Sequence, residues 1–145
     1  MRKGFTVLEV ILVIAIMTLL GAMSIPALLR ERIVVNESIA QSALKTIVAA
    51  QISYRIAHNN YANLSQLDDA TPTYIDGVLA GGVKNGYNFT AAGWETTFVA
   101  TAVPTKSNST GVRRFCITED GVVRVNSSIT SSTDHSTCQG YGATK

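Results

Sequence analysis

The first 58 residues carry two hydrophobic patterns in succession. Residues 5–29 contain a single charged side chain, Glu9, so they predict a helix that is apolar on all sides. From residue 30 to 58, apolar residues recur at three- and four-residue steps with polar residues between them. The sequence therefore predicts one long helix with an apolar first half and an amphipathic second half.

The remaining residues, 59–145, show short alternating segments that are separated by turns. Strand-like alternation occurs around Tyr87 and Phe89, in "TTFVATAV", in "RRFCIT" and in "VVRV". The Asp120-Gly121 step between the last two segments is typical of a hairpin. We predict an α+β fold in which the amphipathic half of the helix packs against a small antiparallel β-sheet of three or four strands.

Composition and charge narrow the class of protein. Hydrophobic residues make up 46% of the chain and charged residues 15%, which is sparse for a freely soluble domain. The net charge of +2 comes from Arg2 and Lys3, because the other basic residues equal the 10 acidic residues in number. Net charge therefore gives no reason to predict nucleic-acid binding.

The apolar half of the helix has the length of a membrane span. Residues 5–29 would rise about 37 Å as a helix, enough to cross a hydrocarbon core of ~30 Å. Gly21 and Pro26 interrupt its regularity, since glycine lowers helix stability and proline removes a hydrogen bond. A cleaved secretory signal with a site near "GAMS" and a plain anchor are the alternatives. We predict a single span with the N-terminus inside.

Two cysteines, Cys116 and Cys138, lie far apart and outside any CxxC pair. In a chain with an export-type N-terminus, such a pair favours one disulfide in an oxidising compartment. The closed loop would contribute about 3 kcal/mol in the chain-entropy description. Two unpaired thiols are the alternative.

No catalytic, cofactor or metal site is predicted. His58 and His135 have no accompanying nucleophile motif, so we interpret both as solvated. Three aspartates lie near predicted turns, Asp68, Asp69 and Asp76. They could bind calcium, but a role in forming the turns explains their positions more simply.

Four basic side chains lie on segments that flank the predicted hairpin, namely Lys106, Arg113, Arg114 and Arg124. A DNA-contacting patch is one interpretation of this set. A solvated strand face is the simpler one.

The stretch "KGFTVLE", residues 3–9, resembles the processing site of type IV prepilins of the N-methylphenylalanine type and of the related type II secretion pseudopilins. That family has a short basic leader that ends in glycine, an aromatic first mature residue and glutamate at mature position five. Counted from Phe5, Glu9 is fifth and Pro26 is twenty-second, where many members also have proline.

The resemblance implies cleavage between Gly4 and Phe5 by a prepilin peptidase, followed by N-methylation of Phe5. It also implies that Glu9 pairs with the N-terminal amine of a neighbouring subunit, which makes a charge in an apolar helix tolerable. The resemblance also implies a role for Pro26 in assembly, because the helix around this position is often unwound in the filaments of related proteins. An ordinary proline kink is the alternative.

The implied domain organisation has four parts. Residues 1–4 are a leader that is removed, and residues 5–29 are the transmembrane and assembly helix. Residues 30–58 are the amphipathic half of that helix, and residues 59–145 are a periplasmic or extracellular head with a pilin-like sheet. A disulfide loop closes the C-terminal part of the head, and residues 127–141 are its predicted contact surface.

The implied function is that of a structural subunit of a type IV pilus, in adhesion, twitching motility or DNA uptake. Its partners would be other copies of itself, the peptidase and methyltransferase, and an inner-membrane assembly platform with an ATPase. The precursor would lie in the inner membrane and the product in an extracellular filament. The alternatives are a minor pilin or type II secretion pseudopilin and, from another class, an anchored periplasmic enzyme or binding module.

Overall fold

A computed structural model describes residues 4–144 of the chain, and the side chains of residues 4–22 and 28–144. It begins with the helix α1 (Val7–His58). The chain then forms α2 (Leu64–Asp69), α3 (Gly77–Ala80), β1 (Val83–Lys84), β2 (Tyr87–Gly93), β3 (Phe98–Pro104), β4 (Phe115–Thr118), β5 (Arg124–Val125) and α4 (His135–Gln139). The described residues up to Arg32 and those from Ile33 onward form two compact units.

The second unit contains a five-stranded antiparallel sheet in the order β1-β2-β3-β4-β5. Every strand pairs with its neighbour in sequence, and β2 and β3 pair along their whole length, from Tyr87 with Pro104 to Gly93 with Phe98. The predicted α+β class with a long helix and a small antiparallel sheet is confirmed. The sheet has one strand more than the upper predicted number, because β1 has only two residues and leaves no alternating pattern.

The hydrophobic core lies between the sheet and one face of α1. Leu44 and Ile47 of the helix are fully buried in the same cluster as Phe98, Phe115 and Ile117. A helix face and a sheet face that are each apolar bury their surfaces against each other, which fixes the α+β arrangement. Not all apolar positions of the amphipathic pattern belong to this face, since Ile56 is 84% exposed.

The other face of the sheet is covered by the C-terminal segment, residues 126–144. Val99 and Cys116 on that face are buried with Ile129 and Cys138 of the segment. Nearly all of β3 is therefore buried on both faces rather than alternately. The segment is rich in serine and threonine, and its few apolar residues pack on the sheet.

Candidate functional site

The predicted cleavage site immediately precedes α1. Residues 4–6 are exposed and not helical. The Thr6 carbonyl accepts the first helical hydrogen bonds, from the N–H groups of Glu9 at 3.1 Å and Val10 at 3.3 Å. The Thr6 hydroxyl oxygen also accepts from the Glu9 N–H, as a helix cap does. The bond between Gly4 and Phe5 therefore lies in exposed chain outside the helix.

Glu9 lies in the first turn of α1, where a carboxylate interacts favourably with the helix dipole. A surface cavity of about 290 Å³ is lined by Glu9 and four apolar side chains, those of Phe5, Val10, Val13 and Ile14. Among the described residues Glu9 has no ion-pair partner. A lone carboxylate in an apolar setting can accept a cationic group from another molecule.

The whole described surface of the first unit is exposed in the single chain. Most of its side chains are large and apolar, including Phe5, Val7, Leu8, Ile11, Leu12, Ile14, Met17, Leu19, Leu20, Leu28 and Leu29. An apolar surface this continuous marks a site of association with protein or lipid. The chemistry that the apolar run of this unit offers is therefore apolar contact on all sides around the Glu9 carboxylate, and the charged residues Arg30, Glu31 and Arg32 follow the run.

Within the part of the chain that the structure describes, no helix has both the length and the apolar character needed to cross a membrane. The predicted span of residues 5–29 therefore stays a prediction. The Pro26 backbone lies within the bounds of α1, and its side chain lies outside the described residues. Arg2 and Lys3 of the predicted leader also lie outside them.

In the second unit, Glu37 attaches the long β3–β4 connection to α1. One carboxylate oxygen of Glu37 accepts from the backbone N–H groups of Val112 at 2.9 Å and Arg113 at 3.0 Å. The other oxygen pairs with the Arg113 guanidinium at 2.6 Å. The adjacent Asn36 side chain donates to the Thr110 carbonyl at 2.9 Å. The Glu37 side chain is only 6% exposed, so these bonds lie largely out of water.

These contacts determine the protonation of Glu37. Burial raises the pKa of its carboxyl. The opposite effect is larger, because the Arg113 and Val112 N–H groups donate hydrogen bonds to the carboxylate and the Arg113 charge lies beside it. The net result is a pKa below the ordinary value. Glu37 is therefore a carboxylate at neutral pH, and its charge belongs to the bonding of this contact.

The Cys116–Cys138 disulfide joins β4 to α4 and closes a loop with a sequence separation of 22. The predicted pairing is confirmed, and both cysteines are completely buried. At the same place the His135 ring nitrogen lies 2.8 Å from each Glu119 carboxylate oxygen. The Gln139 side chain also donates to Glu119 at 3.4 Å, so the disulfide and two side-chain contacts to Glu119 hold α4 on the sheet.

His58, His135 and Asp76 each have a separate local contact in the structure. His58 stacks on Tyr54 with ring centroids 4.0 Å apart, and His135 lies beside Glu119. Asp76 caps α3 by accepting from the Leu79 N–H, which agrees with the turn interpretation. Among the described residues no group of three or more metal-ligating side chains converges.

The four basic side chains of the DNA interpretation have different partners. Arg113 pairs with Glu37 and Arg124 with Asp120. Arg114 donates to the Ile129 carbonyl at 3.2 Å, and Lys106 is exposed. Two of the four charges are thus neutralised within the chain, which weakens the case for a phosphate-binding surface.

The sequence interpretation missed two buried polar residues of α1, Glu37 and Gln51. The Gln51 amide exchanges two hydrogen bonds with the backbone of Ala62, just after the end of α1. The amphipathic pattern places Glu37 among the polar positions between the apolar rows and assigns no position to Gln51. Glu37 precedes the buried Ala40 and Leu44 by three and seven positions, and this spacing is the signal that places it on the buried face.

Comparison with known proteins finds a relative that is similar along nearly the whole chain. No family model matches the chain. The sequence is 30% identical over 136 residues to PilA4, the major component of the type IV wide pilus of Thermus thermophilus. The alignment covers 90% of this chain and 92% of that protein. The similarity thus extends over the long helix and the sheet together.

Proposed function

Because the chain belongs to the type IV pilin family, we propose that it is a structural subunit of a type IV pilus and polymerises through α1. The observation that carries this proposal is the exposed apolar surface of residues 4–22 and 28–29, which a single copy leaves uncovered. A helix that is apolar on all sides is stable in water only when other apolar surfaces surround it. In a filament those surfaces are the same helices of neighbouring copies.

Maturation precedes assembly in this proposal. A prepilin peptidase cleaves between Gly4 and Phe5, and the new amine of Phe5 is methylated. The position of this bond in exposed chain ahead of α1 supports access by a peptidase. Cleavage removes Arg2 and Lys3 and creates an ammonium group at the start of the apolar surface.

Glu9 then accepts that ammonium group from a neighbouring subunit. The exposed carboxylate, its lack of an ion-pair partner among the described residues and its apolar surroundings support this role. An ion pair in an apolar environment needs both charges, because either charge alone is costly to desolvate. Processing and assembly are therefore chemically coupled.

Before assembly, the same surface needs lipid. We infer a precursor that spans the inner membrane once, with its N-terminus inside, through residues 5–29 and with Pro26 in the assembly segment. An assembly platform with an ATPase moves the subunit from the membrane into an extracellular filament. Adhesion, twitching motility and DNA uptake are the roles that this filament would serve.

The relative's description as a major pilus component favours a pilus subunit over the secretion pseudopilin. It also favours a structural protein over an anchored enzyme.

The experiment that tests this proposal is intact-mass spectrometry of filaments sheared from the cell surface. We expect one dominant species that starts at N-methylated Phe5 and is lighter by two hydrogens because of the Cys116–Cys138 disulfide. Processed protein that is found only in the inner membrane would instead support a pseudopilin or a rare minor subunit. A chain that still starts at Met1 in piliated cells would contradict the maturation pathway.

A further inference from the structure

The antiparallel sheet places its connections alternately at two opposite ends. The β2–β3 turn (94–97) and the β4–β5 turn (119–123) lie at one end, as the pairs Gly93 with Phe98 and Val99 with Thr118 require. The β1–β2 turn and the β3–β4 connection (105–114) lie at the other end, near the pair of Tyr87 with Pro104. A strand of this length separates the two ends by about 23 Å.

The first of these ends is acidic. It carries the carboxylates of Glu95, Glu119, Asp120 and Asp134, of which Asp134 shares a cleft with Trp94 of the β2–β3 turn. The arginines at this end, within the described chain, are Arg124 and Arg55, and two histidines lie there as well, His135 beside Glu119 and His58 in the cavity that Glu95 lines. Arg124 pairs with Asp120, and Arg55 lines a cavity together with Glu95. We call this set of four carboxylates the acidic end.

The opposite end is basic. It carries Lys84, Lys106, Arg113 and Arg114, which we call the basic end. Its carboxylates, among the described residues, are Asp76 and Glu37, which pair with Lys84 and Arg113. Each end is therefore left with an excess of one sign, and the two excesses are opposite.

The unpaired members of the two ends are accessible. Glu95 and Lys106 are exposed, and neither side chain has a hydrogen bond or ion pair to another described residue. Opposite charges that are held about 23 Å apart by the sheet cannot meet within one molecule. Only a second molecule can bring them together.

We propose that the basic end of one copy faces the acidic end of the next copy, in a head-to-tail contact between second units. This inference rests on the proposed pilus function and names the surfaces through which the heads meet. A contact between two different surfaces of the same chain does not close on itself and generates an open helical polymer. The charge polarity of the sheet is thus matched to growth in one direction.

The contact sets orientation and register, while the apolar helices supply most of the cohesion. Exposed ion pairs contribute little individually, but complementary fields guide the encounter and penalise wrong alignments, in which like charges face each other. A copy that arrives upside down places two acidic ends or two basic ends together. The arrangement therefore selects one polarity of addition.

The test is charge reversal at Lys106 and Glu95 in cells that assemble the full-length protein. Lys106→Glu and Glu95→Lys each place like charges across the contact, so we expect about a fivefold or larger loss of surface filament from either change. The double variant Lys106→Glu/Glu95→Lys restores opposite signs and is expected to recover filament to within about twofold of wild type. Lys106→Arg and Glu95→Asp keep the signs and serve as matched controls.

Filaments sheared from the cells provide a second measurement. The rate at which subunits dissociate from these filaments is compared between the variants at low and at high salt. At about 1 M salt the Debye length is ~3 Å, so the charges across the contact are screened and the variants are expected to dissociate at the same rate. Single reversals with wild-type filament yield, or a double variant as poor as the single ones, would overturn the head-to-tail contact. Failure of the proposed function looks different, since wild-type cells would then yield no filament of this protein at all.

Discussion

At the residue scale, the isolation of Glu9 within an apolar surface has a measurable consequence. If Glu9 holds the N-terminal amine of a neighbour, Glu9→Gln leaves an ammonium group unpaired in the helical bundle, at a cost of ~3 kcal/mol. We expect the amount of surface filament to fall by a factor of about ten or more. The processed subunit is expected to remain in the membrane. Immunoblots of sheared and membrane fractions measure both quantities.

Glu31→Gln is the matched control for that substitution. Glu31 is also an exposed glutamate of the first unit, but it lies after the apolar run rather than inside it. Normal filament formation in Glu31→Gln cells is expected. Normal filament formation in Glu9→Gln cells would refute the pairing.

Glu37 is a residue whose replacement tests the stability of the head. Glu37→Gln keeps the size of the side chain but removes the charge that Arg113 and two backbone N–H groups bind. We expect the free energy of unfolding of the full chain in detergent to fall by about 2 kcal/mol. Glu95→Gln, at an exposed glutamate of the same unit, is expected to change it by less than ~0.5 kcal/mol.

The same residue predicts an effect of pH on stability. The pKa of Glu37 lies below its ordinary value of 4.5, and the Arg124 bond lowers the pKa of Asp120 from 3.8 to about 2. A lowered pKa in the folded state gives stability that is complete above the ordinary value and is lost as pH falls through the folded one. We expect the free energy of unfolding to decrease from about pH 4.5 down to about pH 2, less steeply in Glu37→Gln. Equal slopes would contradict this assignment.

Sequence reasoning found the chemically unusual residues and missed those defined by neighbours far away in the chain. Glu9 is visible because a charge interrupts an apolar run. Glu37 and Gln51 occur in an amphipathic helix, where polar residues are expected, and their partners lie in the β3–β4 connection and in the turn after α1. No local pattern reveals such a partner.

At the scale of elements, the C-terminal segment is joined to the sheet by one covalent bond as well as by packing and by hydrogen bonds such as that from Thr90 to the Ser131 carbonyl. The disulfide, the pair of His135 with Glu119 and the buried Ile129 hold residues 126–144 on the sheet. We expect Cys116→Ala/Cys138→Ala to lower the free energy of unfolding by about 3 kcal/mol. Hydrogen exchange should accelerate more in residues 126–144 than in the second half of α1, and uniform acceleration would contradict a local role of the bridge.

The elements differ in how well their patterns predict them. α1, β2 and β3 are long enough for a periodic signal, and all three were predicted. β1 has two residues in a glycine-rich stretch, and its pairing with β2 comes from the turn between them. The burial of β3 on both faces could not be read from its sequence either, because the cover on its second face comes from more distant residues.

At the scale of the whole molecule, the buried core lies entirely in the second unit. All the described buried residues fall between Glu37 and Cys138. We therefore expect a chain that starts at Ile33 to fold and remain monomeric, since it keeps that core and lacks the exposed apolar surface. Circular dichroism and sedimentation measure both properties, and an unfolded or polymeric product would contradict the division of roles.

Both edges of the sheet are short. β1 has two residues, and β5 has two residues and is bridged by Ala143 of the C-terminal segment. Short or covered edges give another chain little backbone to pair with, in contrast to amyloid fibres, in which every strand is bonded to the next subunit. A fibre of these subunits would be held without pairing the strands of one copy to those of the next. It could be dismantled, and its subunits used again, without breaking the hydrogen bonds of any sheet.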